Sequence, residues 1–300
     1  PNICSPVQLG AAEWALAGGG YKMSFAVKTD GTLWTWGYND WGQLGHGNTT
    51  STSSPVQVGS LTDWSTTIAP AGGYGMMSAI KQDGTLWAWG LGQWGQLGVG
   101  STTDYSSPIQ VGSDTDWIAQ SRNLGPFQSG FMGMRGTSGV NGTLWACGNG
   151  YSGQLGVGDT ANKSDLTQVG SLTNWKTISF GYAGCAALKY DGTAWSWGQG
   201  YSGVNGDGST TDRSSPVQMG ALTDWTKWVR PSRYAAMGFR PGSDGTVWMT
   251  GYGAAQCGVS FTGVGFSSPV QLSSGTGWID ITSSQGTGSY GLRGTGPVCP

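Results

Sequence analysis

Few residues in this chain are of types that do covalent or metal chemistry. A single histidine, His46, sits in the glycine-rich run Gly45-His46-Gly47, and Val99 and Val157 hold the same place in later copies of that run. A loop residue open to solvent is the expectation for it, not a general base. Five cysteines are present, and none stands with a His or Asp at metal-ligand spacing, so neither a metal nor another cofactor is expected. Asp30, Asp83, Asp191 and Asp244 look like candidate paired carboxylates, but each is followed by glycine, and a turn role accounts for them. Asp63, Asp116 and Asp224 each precede a tryptophan and read as turn or cap residues. No nucleophile–base set and no phosphate loop emerges, so the chain reads as a non-enzyme.

The residues suited to binding are aromatic and arginine side chains. Three segments depart from the internal repeat described below: Ser121 to Phe127, which contains Arg122 and Phe127; Trp228 to Tyr234, which contains Arg230 and Arg233; and Phe261 to Phe266. Arg122, Phe127, Trp228, Arg230, Arg233, Tyr234, Phe261 and Phe266 are therefore the candidate protein-binding anchors, because arginine and large aromatics dominate interface energetics. A second set, Trp41, Trp94, Tyr151 and Tyr201, follows the third strand of successive repeats at what read as equivalent places. One sugar site per repeat would need such a set, so a lectin-like role is the alternative.

These residues must be positioned by a repeat, and the repeat is explicit. DGTLWTWG at Asp30 recurs as DGTLWAWG at Asp83, NGTLWACG at Asn141, DGTAWSWG at Asp191 and DGTVWMTG at Asp244. WGQLG at Trp41 and Trp94 recurs in weaker form at Ser152, Ser202 and Ala254. SPVQLG at Ser5 recurs at Ser54, Ser107, Asp165, Ser215 and Ser268, and a lone tryptophan follows each copy (Trp14, Trp64, Trp117, Trp175, Trp225, Trp278). All but three of the 17 tryptophans fall in register; Trp41, Trp94 and Trp228 are the others.

Each repeat reads as four short strands. The first opens at the lone tryptophan, the second is typified by Phe25 to Lys28, the third by Leu33 to Trp36 and the fourth by Pro55 to Val58. Asp-Gly between the second and third predicts a type I′ hairpin. Trp34 and Trp36, two apart, share one face of their strand, which then packs on the next sheet. One repeat cannot offset its own backbone entropy, and an open stack leaves two apolar ends, so a closed ring is expected. The whole chain, 1–300, is then a single all-β domain: a closed β-propeller of six four-stranded blades. The blades are approximately 11–59, 60–112, 113–170, 171–220, 221–273, and a sixth built from 274–300 plus 1–10. In that sixth blade Cys299 falls where other blades carry the third-strand tryptophan, and Cys4 precedes the adjoining fourth strand, which predicts a Cys4–Cys299 disulfide. Cys147 and Cys257 replace a tryptophan and a leucine and look like small core substitutes. A Cys147–Cys185 bridge stays open beside free thiols.

The repeat resembles the regulator of chromosome condensation repeat: Lys-x-Asp-Gly-x-Leu-Trp-x-Trp-Gly, then Gly-Gln-Leu-Gly, then Pro-Val-x-Val. The likeness covers nearly the whole chain and is weakest in the fifth blade, where Thr250 and Ala255 depart from it. The spelling Ser-Ser-Pro-Val-Gln-Val-Gly-x-Leu-Thr-Asp-Trp is similar to the bacterial and bacteriophage branch. That resemblance implies a β-propeller and a binding or structural part in an extracellular or virion assembly, with protein partners or self-assembly. The chain shares only scaffold motifs with the seven-bladed eukaryotic exchange factor.

Charge bounds the partners further. Charged residues make up 10% of the chain and the net charge is −2, so phosphate neutralisation has little to work with and no nucleic-acid partner is expected. No apolar run reaches the length of a membrane span. No secretory leader stands at Pro1; loss of an initiator Met and excision from a longer precursor both account for that start.

Overall fold

The computed structural model describes residues 13–122, 130–137, 141–181, 183–229, 235–241, 245–252, 265–272, 278–284 and 288–293. Five four-stranded antiparallel sheets follow one another along the chain. The first holds β1 (Trp14–Gly20), β2 (Met23–Lys28), β3 (Leu33–Gly37) and β4 (Thr52–Gln57); the second β5 (Ala71–Gly72), β6 (Met76–Ile80), β7 (Leu86–Gly90) and β8 (Tyr105–Gln110). The third holds β9 (Trp117–Arg122), β10 (Gly130–Thr137), β11 (Asn141–Gly148) and β12 (Lys163–Gln168); the fourth β13 (Trp175–Phe180), β14 (Gly184–Lys189), β15 (Ala194–Gly198) and β16 (Arg213–Gln218). The fifth holds β17 (Lys227–Val229), β18 (Ala235–Arg240), β19 (Thr246–Gly251) and β20 (Phe266–Gln271). A hairpin of β21 (Trp278–Ser284) and β22 (Gly288–Arg293) follows. Cys4, Cys299, Cys257 and the strand expected at Ser5 lie outside the described residues.

Within each sheet the strands pair in chain order. The first strands of neighbouring sheets approach one another in an unbroken series, β1 to β5, β9, β13, β17 and β21. They form the inner wall, and each sheet runs outward to its fourth strand. The apolar cores lie between sheets. Met23, Phe25, Val27 and Leu44 of the first sheet meet Trp64, Met77, Ala79 and Trp89 of the second. Met76, Leu97 and Val111 meet Trp117, Phe131 and Cys147. Met132, Leu144 and Leu155 meet Trp175, Cys185 and Trp197, and Leu188, Val204 and Met219 meet Trp225, Trp228 and Ala236. Tryptophan suits these seams because a single side chain buries a large apolar area, and its edge-to-face contacts add about 0.5–1.5 kcal/mol each. Trp64 and Trp87 show that geometry, with centroids 6.3 Å apart at 81°.

Three local expectations change. The Asp-Gly hairpins at Asp30, Asp83 and Asp191 are not type I′. Among the described residues only Lys22 and Ser202 combine a side chain with positive φ, so Asp30 and Asp83 lie at negative φ. Gly31 N–H donates to Lys28 O (3.0 Å) and Lys28 N–H to Thr32 O (2.9 Å), with Gly31 at φ +80°. That is a three-residue loop, a type I turn followed by a left-handed glycine in a bulge. Repeats at Asp83 and Asp191 close in the same way. Second, the lone tryptophan does not always open the first strand. In the second sheet Trp64 makes only an isolated bridge to Lys81, and β5 starts at Ala71. Ser65 Oγ accepts the Thr67 and Ile68 N–H groups, and this local bonding competes with the ladder. Third, Cys147 and Cys185 are both buried and are not bridged to each other.

Candidate functional site

Pairing in chain order puts the β1–β2 and β3–β4 connections of every sheet at one end and the Asp-Gly turns at the other. The two ends have different work to do. At the Asp-Gly end, Asp30 Oδ1 accepts Thr32 N–H (2.9 Å) and Thr32 O–H (2.7 Å), and Trp34 Nε1–H donates on to Thr32 Oγ1 (2.8 Å). The relay recurs from Asp83 through Thr85 to Trp87 and from Asp191 through Thr193 to Trp195. Bonds from the Thr32 and Thr85 hydroxyls, then from their backbone N–H groups, hold Asp30 and Asp83 below the usual carboxylate range. The turn also reaches the next sheet: Gly31 O accepts Trp64 N–H (3.1 Å) and Gly192 O accepts Trp225 N–H (3.1 Å).

Beside each turn a cation is held between two indoles. Lys28 lies over Trp14 and Trp34, Lys81 over Trp64 and Trp87, Arg135 over Trp117 and Trp145, Lys189 over Trp175 and Trp195, and Arg240 over Trp225 and Trp248. Asp63, Asp116 and Asp224 are the counter-ions of Lys81 (3.1 Å), Arg135 (2.7 Å) and Arg240 (2.6 Å). The residues read as turn or cap residues are thus ion-pair partners of the clasp.

The opposite end carries a second inter-sheet bond, made by the residue two after the repeat's first third-strand tryptophan. Trp89 Nε1–H donates to Gln43 O (2.9 Å), Cys147 Sγ–H to Gln96 O (3.6 Å), Trp197 Nε1–H to Gln154 O (3.0 Å) and Thr250 Oγ1–H to Val204 O (2.8 Å). Cys147 and Thr250, which break the sequence pattern, keep its hydrogen-bond donor. His46 is half-buried, with Nε2 2.8 Å from the hydroxyl of the buried Thr35. Burial lowers its pKa, so the expectation of a solvent-open loop residue is corrected.

This end also carries the most exposed aromatics. Tyr151 is 81% exposed and Tyr201 61%. At the same end, at the junction of the first two sheets, four rings form a continuous row. Tyr38 and Trp41 centroids are 5.4 Å apart, Trp41 and Tyr74 5.1 Å, and Tyr74 and Tyr21 4.8 Å. Lys22 Nζ lies 5.2 Å from the Tyr21 centroid and 5.5 Å from that of Tyr38. Tyr38 O–H donates to Asp40 Oδ2 (2.5 Å), and this bond raises its pKa above that of a free phenol.

The regulator of chromosome condensation (RCC1) repeat model matches residues 30–76, 83–121 and 141–188, stretches that include the Gly-Gln-Leu-Gly loops of the first three sheets. The chain carries RCC1 repeats. Its relatives include the ultraviolet-B receptor UVR8 of Arabidopsis thaliana, 30% identical over 157 residues, which are 52% of this chain and 34% of the receptor. Protein RCC2 of Homo sapiens is 37% identical over 89 residues, 29% of this chain and 17% of RCC2. This chain therefore spans about a third or less of either relative. Human WBSCR16 superposes with a TM-score of 0.68 at 17% identity, covering 88% of this chain and 68% of that one. Prp20p of Saccharomyces cerevisiae, a protein with binding properties toward Gsp1p and histones, superposes at 0.64 with 18% identity, covering 88% and 66%. These two likenesses carry the propeller fold.

In this RCC1-repeat chain the candidate binding residues separate. Trp228, 3% exposed, stands edge-on to Trp225 at 4.5 Å; it is a core residue, and its place as a surface anchor is corrected. Phe266 opens β20 half-buried against the core of Met237 and Met249. Arg122 ends β9; its side chain, like Phe127, Arg230, Arg233, Tyr234 and Phe261, lies outside the described residues. The flanking strand ends all open on the aromatic-bearing end. The four sugar-site candidates are not equivalent. Trp41 and Trp94 precede the left-handed Gly42 and Gly95, where later RCC1 repeats have Ser152 and Ser202. Tyr151 and Tyr201 stand one residue earlier. Tyr21, Lys22, Tyr38 and Tyr74 escaped the sequence reading. Their signal is that Tyr21-Lys22-Met23 and Tyr74-Gly75-Met76 align ahead of β2 and β6.

Proposed function

We propose that this chain is a non-enzymatic protein-binding propeller, a module of an extracellular or virion assembly, that engages its partner through the end bearing the long β3–β4 loops. The observation that carries this reading is the exposure of Tyr151 and Tyr201, 81% and 61%, at one repeated position of that end. Tyrosine supplies large contact area with little rotamer entropy and is enriched at interfaces. At the Asp-Gly end Asp30, Asp83 and Asp191 are engaged by threonines, and Asp63, Asp116 and Asp224 by cations. Prp20p, with its binding toward Gsp1p and histones, is a precedent for protein partners on this fold. The compartment follows from the resemblance to bacterial and bacteriophage repeats.

Tyr151→Ser combined with Tyr201→Ser should release the partner that copurifies from the native source, and Tyr190→Ser, at the Asp-Gly end, should retain it. The reverse pattern would move the interface to the other end. Saturable glycan binding abolished by the double variant, with no protein partner, would install the lectin alternative instead.

The finer architecture belongs to the same proposal: a ring of six blades closed by β21, β22 and residues 1–10, stapled by Cys4–Cys299. Two features support it. Met237, Phe239, Val247 and Met249 form an apolar cluster in the fifth sheet, which adjoins β21. Trp36 also holds the place from which Trp89, Cys147, Trp197 and Thr250 each bond to the preceding sheet. Non-reducing peptide mapping of the secreted or particle-bound protein should return a Cys4–Cys299 cross-link; two unpaired thiols there would remove the staple.

A further inference from the structure

We propose that Tyr21, Tyr38, Trp41 and Tyr74 form a recognition site for an alkylammonium group, with the chain's own Lys22 as its resident occupant. The proposal deepens the reading of the loop-bearing end as the binding end. It stands on how the rings and the lysine are placed. The row runs Tyr38, Trp41, Tyr74, Tyr21 at centroid spacings of 5.4, 5.1 and 4.8 Å. The Lys22 ammonium lies within 5.5 Å of the two terminal rings, Tyr38 and Tyr21, and so joins the ends of the row. Tyrosine and tryptophan faces attract a cation through the ring quadrupole, and aromatic sites of this composition suit weakly hydrated organic cations. Among the described residues Lys22 makes no ion pair, so the rings are its described partners.

Two further features mark the cluster as more than packing. Lys22 is exposed and held at φ +57°, a conformation that L side chains rarely adopt; Gly75 holds the equivalent place in the second sheet at φ +71°. A glycine would serve that turn without strain, so the lysine is not there for the backbone. Tyr38 does not recur in the next three sheets, whereas Trp41 pairs with Trp94 and Tyr21 with Tyr74 in the repeat. The place of Tyr38 is taken by Leu91, Asn149 and Gln199 in the next three sheets. Asp40, exposed and bonded to the Tyr38 hydroxyl, adds a negative charge beside the row and disfavours an anionic ligand.

The test is a calorimetric and NMR titration of the full chain with tetramethylammonium and with N-acetyl-trimethyllysine amide, against the neutral isostere bearing a tert-butyl group. Lys22→Gly removes the competing ammonium and relaxes the turn, and it should tighten binding about fivefold, from the loss of two cation–ring contacts. Tyr38→Leu and Tyr74→Leu keep apolar bulk but remove a π-face, and each should weaken binding about two- to fivefold. Near-ultraviolet circular dichroism checks that the Leu variants keep their fold. Absence of saturable binding to the Lys22→Gly protein, or equal binding of the neutral isostere, would overturn the proposal. The readout uses small cations alone, so its failure is distinct from failure of the Tyr151/Tyr201 partner test.

Discussion

Thr250→Val removes one inter-sheet hydrogen bond and almost nothing else. The side chain is fully buried, and its hydroxyl donates across the seam to Val204 O at 2.8 Å. Valine matches threonine in shape and suits a strand, so neither a cavity nor a propensity loss accompanies the change. What is lost is the bond and the satisfaction of a buried carbonyl. A net bond is worth about 1 kcal/mol, and a stranded buried acceptor raises the total to about 1–3 kcal/mol. Thr250→Ser keeps the hydroxyl and gives up one methyl, worth about 0.8 kcal/mol of burial. Urea midpoints followed by tryptophan fluorescence, at equal denaturant slopes, should rank wild type above the serine variant and the serine variant above the valine variant. If Thr250→Val stays within about 0.5 kcal/mol of wild type, or Thr250→Ser is the worse of the two, then shape and not the donor explains this position. The explanation of Cys147 would fall with it.

Gly192→Ala places a methyl at φ +80° and 1.8 Å from Thr223 O of the next sheet; a loss of more than about 3 kcal/mol, or failure to fold, is expected in thermal melts. Gly170→Ala, at φ +58° with nothing within 4 Å, should cost only about 1–2 kcal/mol. Lys81→Met removes a cation 4.3 Å from the Trp87 ring and 3.1 Å from Asp63, at a cost of about 2 kcal/mol; a double-mutant cycle with Asp63→Asn separates the ring contribution from the ion pair. Asp83 has a folded-state pKa below its ordinary 3.8, so its contribution is complete above that value and is lost as pH falls through the lowered one. Asp83→Asn keeps an acceptor for Thr85 without the charge, and its urea midpoint should fall less than that of wild type between about pH 6 and pH 2.

The succession of four-stranded sheets was legible because tryptophan, Asp-Gly and Pro-Val recur every 50 to 58 residues, and a repeated seam needs the same shape each time. The hairpin type was not. Asp-Gly fits both a two-residue and a three-residue loop, and the choice depends on Thr32 and Thr85 closing the bulge, three bonds that the dipeptide does not display. Counter-ions for the clasped cations were missed for a similar reason. Asp63 and Lys81 are 18 positions apart and meet only when Trp64 pairs with Lys81. Trp228 breaks the repeat without reaching the surface, because a bulky side chain entering a seam breaks the repeat as well as a binding residue does.

Cys147 and Thr250 show how a broken repeat should be weighed. By size they are small replacements for tryptophan; by hydrogen bonding they are the same residue, since an N–H, an S–H and an O–H all reach the preceding sheet's carbonyl. A substitution that preserves the bond is scaffold. Tyr38, Lys22 and Tyr151 pass the converse test: no equivalent residue repeats their contacts in every sheet, and their side chains face solvent or one another. Such positions gather at the end of the sheets where the loops are long, although inter-sheet bonds such as Trp89 Nε1–H to Gln43 O tie that end as well. Loop length, and not inter-sheet bonding, therefore distinguishes the two ends, and the proposed binding surface lies on the longer loops.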